Sequence, residues 1–317
     1  MTQVVQMTSP FIKRFMAWSN ERFPMANVIS GALGYITMVN IGRFIGNQGF
    51  SIISWTDLLG AIAFIAHLLL LRIFDEHKDY DIDKVNHPER ALSRGLITLK
   101  HLRIIALPLP LFAIGWSYFQ DQGIGITFYL WALMFIYSSL MAKEFFIGEW
   151  LSQKLVLYSF SHMIVSPLMY LWILIGGAGE LKSSIVLTLI LILSFTGGIS
   201  YELTRKTRGT DENTKLDAYN KHFGTKGSIA IITVFNILSF IMAYKVIQLI
   251  TTQFNYTHII LILGFLSTIY PTVNFLKKQT QKARKINEAG TGLFFLGLYI
   301  SLLLATYNNY LILNKLS

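Results

Sequence analysis

The sequence predicts an all-α integral membrane protein: nine transmembrane helices in a single domain, residues 1–317. Three observations carry that expectation. Apolar residues make up 53% of the chain and charged residues only 14%, where a soluble domain carries about 25% charge; mean hydropathy is +0.50. Apolar runs close to the roughly 20 residues that cross a hydrocarbon core recur from end to end. No stretch between them is long enough for a separate soluble domain. Finally, Lys and Arg fall almost wholly into alternate connecting segments.

In order, the apolar runs are 24–44, 55–74, 100–119, 123–142, 155–176, 183–201, 228–249, 256–275 and 289–312. Pro108, Pro110, Pro167 and Pro271 lie inside them, which membrane helices tolerate because neighbours satisfy the freed backbone groups. With the N-terminus cytoplasmic, the outside segments hold only Arg43, Lys182, Lys245 and Lys315. The other 23 of the 27 basic residues lie inside, as the positive-inside rule requires. The C-terminus is then outside, and a bacterial-type inner membrane is the expected location. The net charge of +10 therefore reads as orientation in a bilayer, with no nucleic-acid partner. The chain has no cysteine, which excludes disulfides, thiol chemistry and cysteine metal sites. Its first 23 residues lack a short apolar core before a small-residue cleavage site, so no cleaved signal peptide is expected.

Two inside segments are rich in acids as well as bases. The first follows the second span and reads FDEHKDYDID, with Asp75, Glu76, Asp79, Asp81 and Asp83. Asp75, Asp79 and Asp83 are spaced i, i+4, i+8 and share one face of a helix continuing from that span. Like charges so placed repel, so a cation should sit among them. Carboxylates without cysteine or clustered histidine suit a hard ion such as Mg²⁺; the alternative is salt bridging to Arg72, Lys78 and Lys84. The second segment follows the sixth span. It has Tyr201 and Glu202, then Arg205, Lys206 and Arg208, then Asp211 and Glu212. Two such clusters on one side of the membrane, interleaved with bases, suit a polyanion with an apolar tail, a prenyl diphosphate. The basic KKQTQKARK stretch after the eighth span reads as a lipid-facing or topology signal.

These residues resemble the UbiA family of intramembrane prenyltransferases over nearly the whole chain. The family's first motif, Asn-Asp-x-x-Asp-x-x-x-Asp, is matched by Asp75, Glu76, Asp79 and Asp83, with its first two residues altered conservatively. Its Arg-Pro pair and following glycine are matched by Arg90 and Gly95, with Ala91 in place of proline. ERFPMAN resembles the family's entry to its first helix and points to Arg22. The second motif is matched at its start by Tyr201-Glu202 and near its end by Asp211-Glu212, with a basic middle. A Tyr-x-x-x-Lys element corresponds to Tyr137 and Lys143, here further apart.

The resemblance implies a UbiA-like bundle with a central cavity for a lipid diphosphate. It implies Mg²⁺ on Asp75, Asp79 and Asp83, with Glu202 and Asp211 as a second ligand set. Arg22, Arg90, Lys143, Arg205 and Lys206 would bind the diphosphate. The activity implied is ionisation of a prenyl diphosphate and transfer of the prenyl group to a small-molecule acceptor, aromatic or otherwise nucleophilic, among membrane lipids. A cyclase of the same fold, in which the cation attacks its own chain, is the alternative. A transporter is the remote one, because transporter ion sites lie near the bilayer midplane and these acids lie at helix ends.

Other polar residues have simpler readings. His162 is expected to make a helix–helix hydrogen bond, and His77 and His87 to lie in a solvated loop. Asn27 and Asn40 are expected to be interhelical partners, and the Asn-Tyr-Thr at 255–257 a chance glycosylation pattern. The glycines of SFTGGISYE are expected to permit close helix packing.

Overall fold

A computed structural model describes residues 5–51, 54–212 and 218–316. Among these the chain is helical, without strands. It forms two compact units, Met1–Tyr35 with Ile53–Phe146, and Ile36–Ile52 with Ile147–Ser317. The first holds α1 (Phe11–Arg22), the start of α2 (Met25–Ile45), α3 (Trp55–Lys78), α4 (Tyr80–Asn86), α5 (Leu99–Ala106), α6 (Pro108–Gln120) and α7 (Ile126–Ala142). The second holds the rest of α2, then α8 (Gly148–Ser152), α9 (Leu155–Met163), α10 (Val165–Ala178), α11 (Ile185–Lys206), α12 (Tyr219–Thr251), α13 (Tyr256–Leu266), α14 (Ile269–Lys278) and α15 (Gln281–Leu316).

Eight helical stretches among the described residues are long and apolar enough to cross a membrane, and the shorter α7 matches the remaining expected span. Three of the eight are paired helices. A proline has no N–H to give to the carbonyl four residues back. α5 gives way to α6 at Leu107, just before Pro108, α9 to α10 at Ile164, before Pro167, and α13 to α14 at Ser267 and Thr268, before Pro271. Two spans begin earlier than hydropathy suggested. α12 starts at Tyr219 and passes a break at Gly224, where φ is +65°; α15 starts at Gln281. Their polar first turns extend the apolar runs, and hydropathy does not register them.

Local sequence sets several helix starts. α3 opens with a capping box in which the Ser54 hydroxyl accepts from the Asp57 N–H and the Asp57 carboxylate accepts from the Ser54 N–H. Asn255 caps α13, its side chain accepting from the Thr257 N–H; the Asn-Tyr-Thr triplet is thus a helix start. Asn40 does not join two helices. It binds the Ser51 backbone through both its amide atoms and so fastens the residues after α2 back onto that helix.

In the first unit the amphipathic α1 buries Trp18 against Ile73, Ala91, Leu92, Leu96, Ile97 and Leu102. The segment after α4 is therefore packed. The fully buried Ala91 gives its N–H to Glu21 at 2.8 Å, a bond that proline, lacking the donor, would not make. Ala91→Pro is expected to lower the unfolding free energy by about 1 kcal/mol. Hydrogen bonds to charged groups contribute about 1.5–3 kcal/mol, and exposure of Glu21 trims that range. Melting curves in detergent check it, and a Glu21→Ala background, which has no side-chain acceptor, should erase most of the difference.

In the second unit α11, α12, α14 and α15 share a core of Ile199, Leu203, Tyr219, Ile229, Ile232, Phe275 and Ala283. Gly177 lets α10 lie on α2, since a Cβ there would collide with the Val39 carbonyl; a Cβ on Gly197 would lie 2.9 Å from the Phe295 ring. The close packing expected of the α11 glycines is present.

Candidate functional site

α3 carries Arg72, Asp75, Glu76 and Lys78 in its last two turns, and Asp79 joins it to α4. The helical ladder continues through the joint. The Asp79 N–H reaches the Asp75 carbonyl at 2.9 Å, and the Asp83 N–H the Asp79 carbonyl at 2.8 Å. The one-turn spacing of the three aspartates is kept, but their surroundings differ. The side chains of Asp75 and Asp79 are 44% and 42% exposed, that of Asp83 is 18% exposed, and that of Glu76 only 2%.

Glu76 is the centre of a buried ion lattice. Its carboxylate accepts from Trp18 Nε1 at 3.2 Å, from Arg72 Nη2 at 2.8 Å, and from Arg22 Nε. Arg22 Nη2 also reaches Asp83 Oδ2 at 3.1 Å, and Arg90 Nη1 reaches the same oxygen at 2.5 Å. The order Arg72, Glu76, Arg22, Asp83, Arg90 alternates in sign and leaves one net positive charge. Burial, and then the neighbouring Arg22 cation, hold the Arg90 guanidinium below its ordinary range, while Asp83 and Glu76 pull it back up. Arginine stays charged at physiological pH regardless.

Asp75 and Asp79 converge on one cation position. The Lys78 ammonium lies 4.0 Å from Asp75, 3.8 Å from Asp79 and 3.8 Å from Glu144. Two exposed hard carboxylates sharing a cation fit one Mg²⁺, which usually takes one or two carboxylates and completes its shell with water and phosphate oxygens. Lys143 is exposed at the end of α7, and Tyr137 packs edge-on against Phe145.

In the second unit, Glu202 lies in the last turns of α11 with both oxygens taken. Arg205 Nη2 and Lys206 Nζ each approach at 2.7 Å. Lys206 also lies over the Tyr158 ring, 5.4 Å from its centroid. Asp211 accepts the Gln281 N–H at 2.6 Å. Glu212 accepts the Gly209 N–H at 2.8 Å, Arg284 Nε at 2.7 Å and Arg208 Nη1 at 3.2 Å. The Arg208 backbone is held from both sides by the Asn220 amide. Among the described residues no three His, Asp or Glu side chains gather as a metal group. The donor set here, with Glu202 and Glu212 matched to bases and Asp211 to a backbone N–H, does not fit a metal ion.

Burial pushes the Glu212 carboxyl up, but the Gly209 N–H, Arg284 and Arg208 outweigh it and hold it below its ordinary range. A carboxyl lowered in the native state stabilises the fold fully above its unfolded pKa, about 4.3. That contribution is lost as pH falls through the lower native value. Wild type should therefore melt above Glu212→Gln near neutral pH, with the gap closing below about pH 4. A gap that does not narrow at all as the pH falls from neutrality through the acid range would show that the tie is not ionic.

Sequence reasoning missed Trp18, Arg72 and Glu76 as a lattice, and Arg284 as its counterpart in the second unit. The signals were present. Glu76 follows Ile73 by three residues on the buried stripe of α3, and Arg284 begins the stripe of Asn287, Thr291, Phe294 and Leu298 on α15. Arg284, its side chain 9% exposed, separates from the lipid-facing basic stretch it was grouped with. His77 lies in α3, with Nδ1 on the Ile73 carbonyl and Nε2 accepting from Arg103. His162 turns Nδ1 to the Tyr158 carbonyl of its own helix, the acceptor one turn back.

Comparison with known proteins bears on the family and the fold. No curated protein sequence matches the chain. A solved structure described as a digeranylgeranylglyceryl phosphate synthase in membranes is similar with a TM-score of 0.61 and 16% identity, covering 93% of this chain and 98% of its own. The apo structure of a UbiA homologue from Aeropyrum pernix is similar with a TM-score of 0.62 and 12% identity, covering 85% and 97%. At such identities the likeness carries the fold alone. The profile of the UbiA prenyltransferase family matches residues 37–299. With its membrane-spanning helices and that match across most of its length, the chain is an integral membrane protein that belongs to the UbiA prenyltransferase family.

Proposed function

We propose that the protein is a magnesium-dependent prenyltransferase that ionises a prenyl diphosphate and transfers its prenyl group to a small-molecule acceptor. The observation that carries this reading is the exposed Asp75–Asp79 pair at the end of a membrane-spanning helix, beside a buried lattice with a surplus of positive charge. Asp75 and Asp79 would hold the magnesium ion. When bound, it supplies Lewis-acid neutralisation of the departing diphosphate. Arg90, the more exposed of the two guanidiniums on Asp83, and Arg22 behind it offer fixed donors where negative charge grows. Lys143, in the same unit, is a further cation for phosphate oxygens.

The bond between the allylic carbon and the diphosphate oxygen breaks, and its electron pair leaves on the diphosphate. The acceptor forms the new bond to the allylic carbon and gives up a proton. Aromatic faces stabilise such a cation, and an apolar membrane setting keeps water from it. The sided distribution of Lys and Arg supports a cytoplasmic N-terminus and cytoplasmic acidic segments, in a bacterial-type inner membrane.

The test uses purified protein in detergent with geranyl, farnesyl or geranylgeranyl diphosphate. Diphosphate is followed with Mg²⁺ or with chelator, and products are read by mass spectrometry. Release that needs Mg²⁺ and an added acceptor supports transfer. A terpene hydrocarbon or alcohol formed without acceptor points instead to cyclisation. No release from any donor across a panel of acceptors would overturn the enzyme reading.

A further inference from the structure

The two acidic segments are not electrostatically alike. From Arg72 to Asp83 there are five acids, Asp75, Glu76, Asp79, Asp81 and Asp83, against two bases, Arg72 and Lys78. From Glu202 to Glu212 three acids, Glu202, Asp211 and Glu212, meet three bases, Arg205, Lys206 and Arg208. Ion pairs from elsewhere in the chain narrow this contrast but keep its sign. Arg22 and Arg90 reach the first segment, so five acids there face four bases; Arg284 reaches the second with its own partner Glu288, so four acids there face four bases. A divalent cation meets a surplus of negative charge at the first segment only.

Geometry sharpens the contrast. Glu202 has one base on each oxygen, from the residues three and four further along its own helix. To ligate a metal it would have to release both, leaving Arg205 and Lys206 facing the metal's positive charge. Glu212 has three donors on its two oxygens and is 8% exposed. Asp211 is spent on the first turn of α15. Arg205, Lys206 and Arg208 keep 45%, 29% and 27% of their side chains exposed while paired.

We propose that this chain holds its divalent cation at the first acidic segment only. Glu202 and Glu212 are structural counter-ions of Arg205, Lys206, Arg208 and Arg284, and Asp211 is a structural acceptor for the first turn of α15. This rests on the reading above that the ligand is a diphosphate bound with a metal ion. It departs from the two ligand sets that the family resemblance implied.

Mn²⁺ binding tests it without recourse to turnover. The full-length protein in nanodiscs is titrated with Mn²⁺ in the presence of methylenediphosphonate, and bound ion is counted by electron paramagnetic resonance. One Mn²⁺ per chain is expected, retained in Glu202→Gln and in Asp211→Asn and lost in Asp79→Asn. Two Mn²⁺ in wild type would overturn the single site while leaving the metal-dependent reading in place. No bound Mn²⁺ would overturn both. The wild-type count alone decides between one and two, so the test survives a variant that fails to fold.

Discussion

Asp79→Ala is expected to slow Mg²⁺-dependent diphosphate release by roughly 10²-fold or more, with little change in stability. Removal of one preorganised group that stabilises developing charge typically lowers turnover by about 10²–10³. The stability side is small because Asp79 is 42% exposed and meets Lys78 at only 3.8 Å; surface pairs of this kind contribute about 0–1 kcal/mol. The two effects therefore separate. Steady-state release measured beside a melting curve reads both on one preparation. If Asp79→Ala turns over like wild type, the exposed aspartates are not the metal ligands, and the acidic end of α3 is a solvated surface.

Glu76→Ala should do the opposite, destabilising the protein by about 3–5 kcal/mol, the usual penalty for removing one partner of a buried ion pair. Glu76 is nearly inaccessible and answers two guanidiniums and an indole N–H. Its loss leaves Arg22 and Arg72 without their shared anion in a low-dielectric setting. Glu76→Gln should fall between, since an amide still accepts hydrogen bonds but brings no charge. Denaturant or thermal unfolding in detergent provides the measurement, with Asp75→Asn as the exposed control. A Glu76→Ala protein as stable as that control would mean that the lattice carries no weight. Two neighbours in sequence thus divide the work: Glu76 holds the fold, and Asp75 faces out.

That division shows what the sequence could and could not reveal. The membrane-spanning helices were legible because a hydrocarbon solvent demands long apolar runs, and the runs at 24–44 and 55–74 match α2 and α3 closely. Hydropathy was blind where helices extend past the apolar zone, as at the starts of α12 and α15. It was also blind to the interruptions before Pro108, Pro167 and Pro271. The spacing of Asp75, Asp79 and Asp83 was legible, because the α-helix repeat is local. Their fates were not, since those depend on Arg22 and Trp18 from α1. The basic middle of the second segment was visible as a departure from the family. That it closes onto Glu202 follows from helical spacing; that Glu212 closes onto Arg284 does not, because 72 residues separate them.

The Glu212–Arg284 tie has a consequence for how the protein is made. Ribosomes add about 5–20 residues per second, so Arg284 emerges roughly 4 to 14 s after its partner. During that interval the segment after α11 lacks the anchor from α15, and closing so long a loop carries an entropic penalty until the later helices are in place. A nascent chain thus finishes its second acidic segment only when its last helix arrives. A chain stopped short of Gln281 would lose more than one span: Asp211 and Glu212 would lack their partners Gln281 and Arg284.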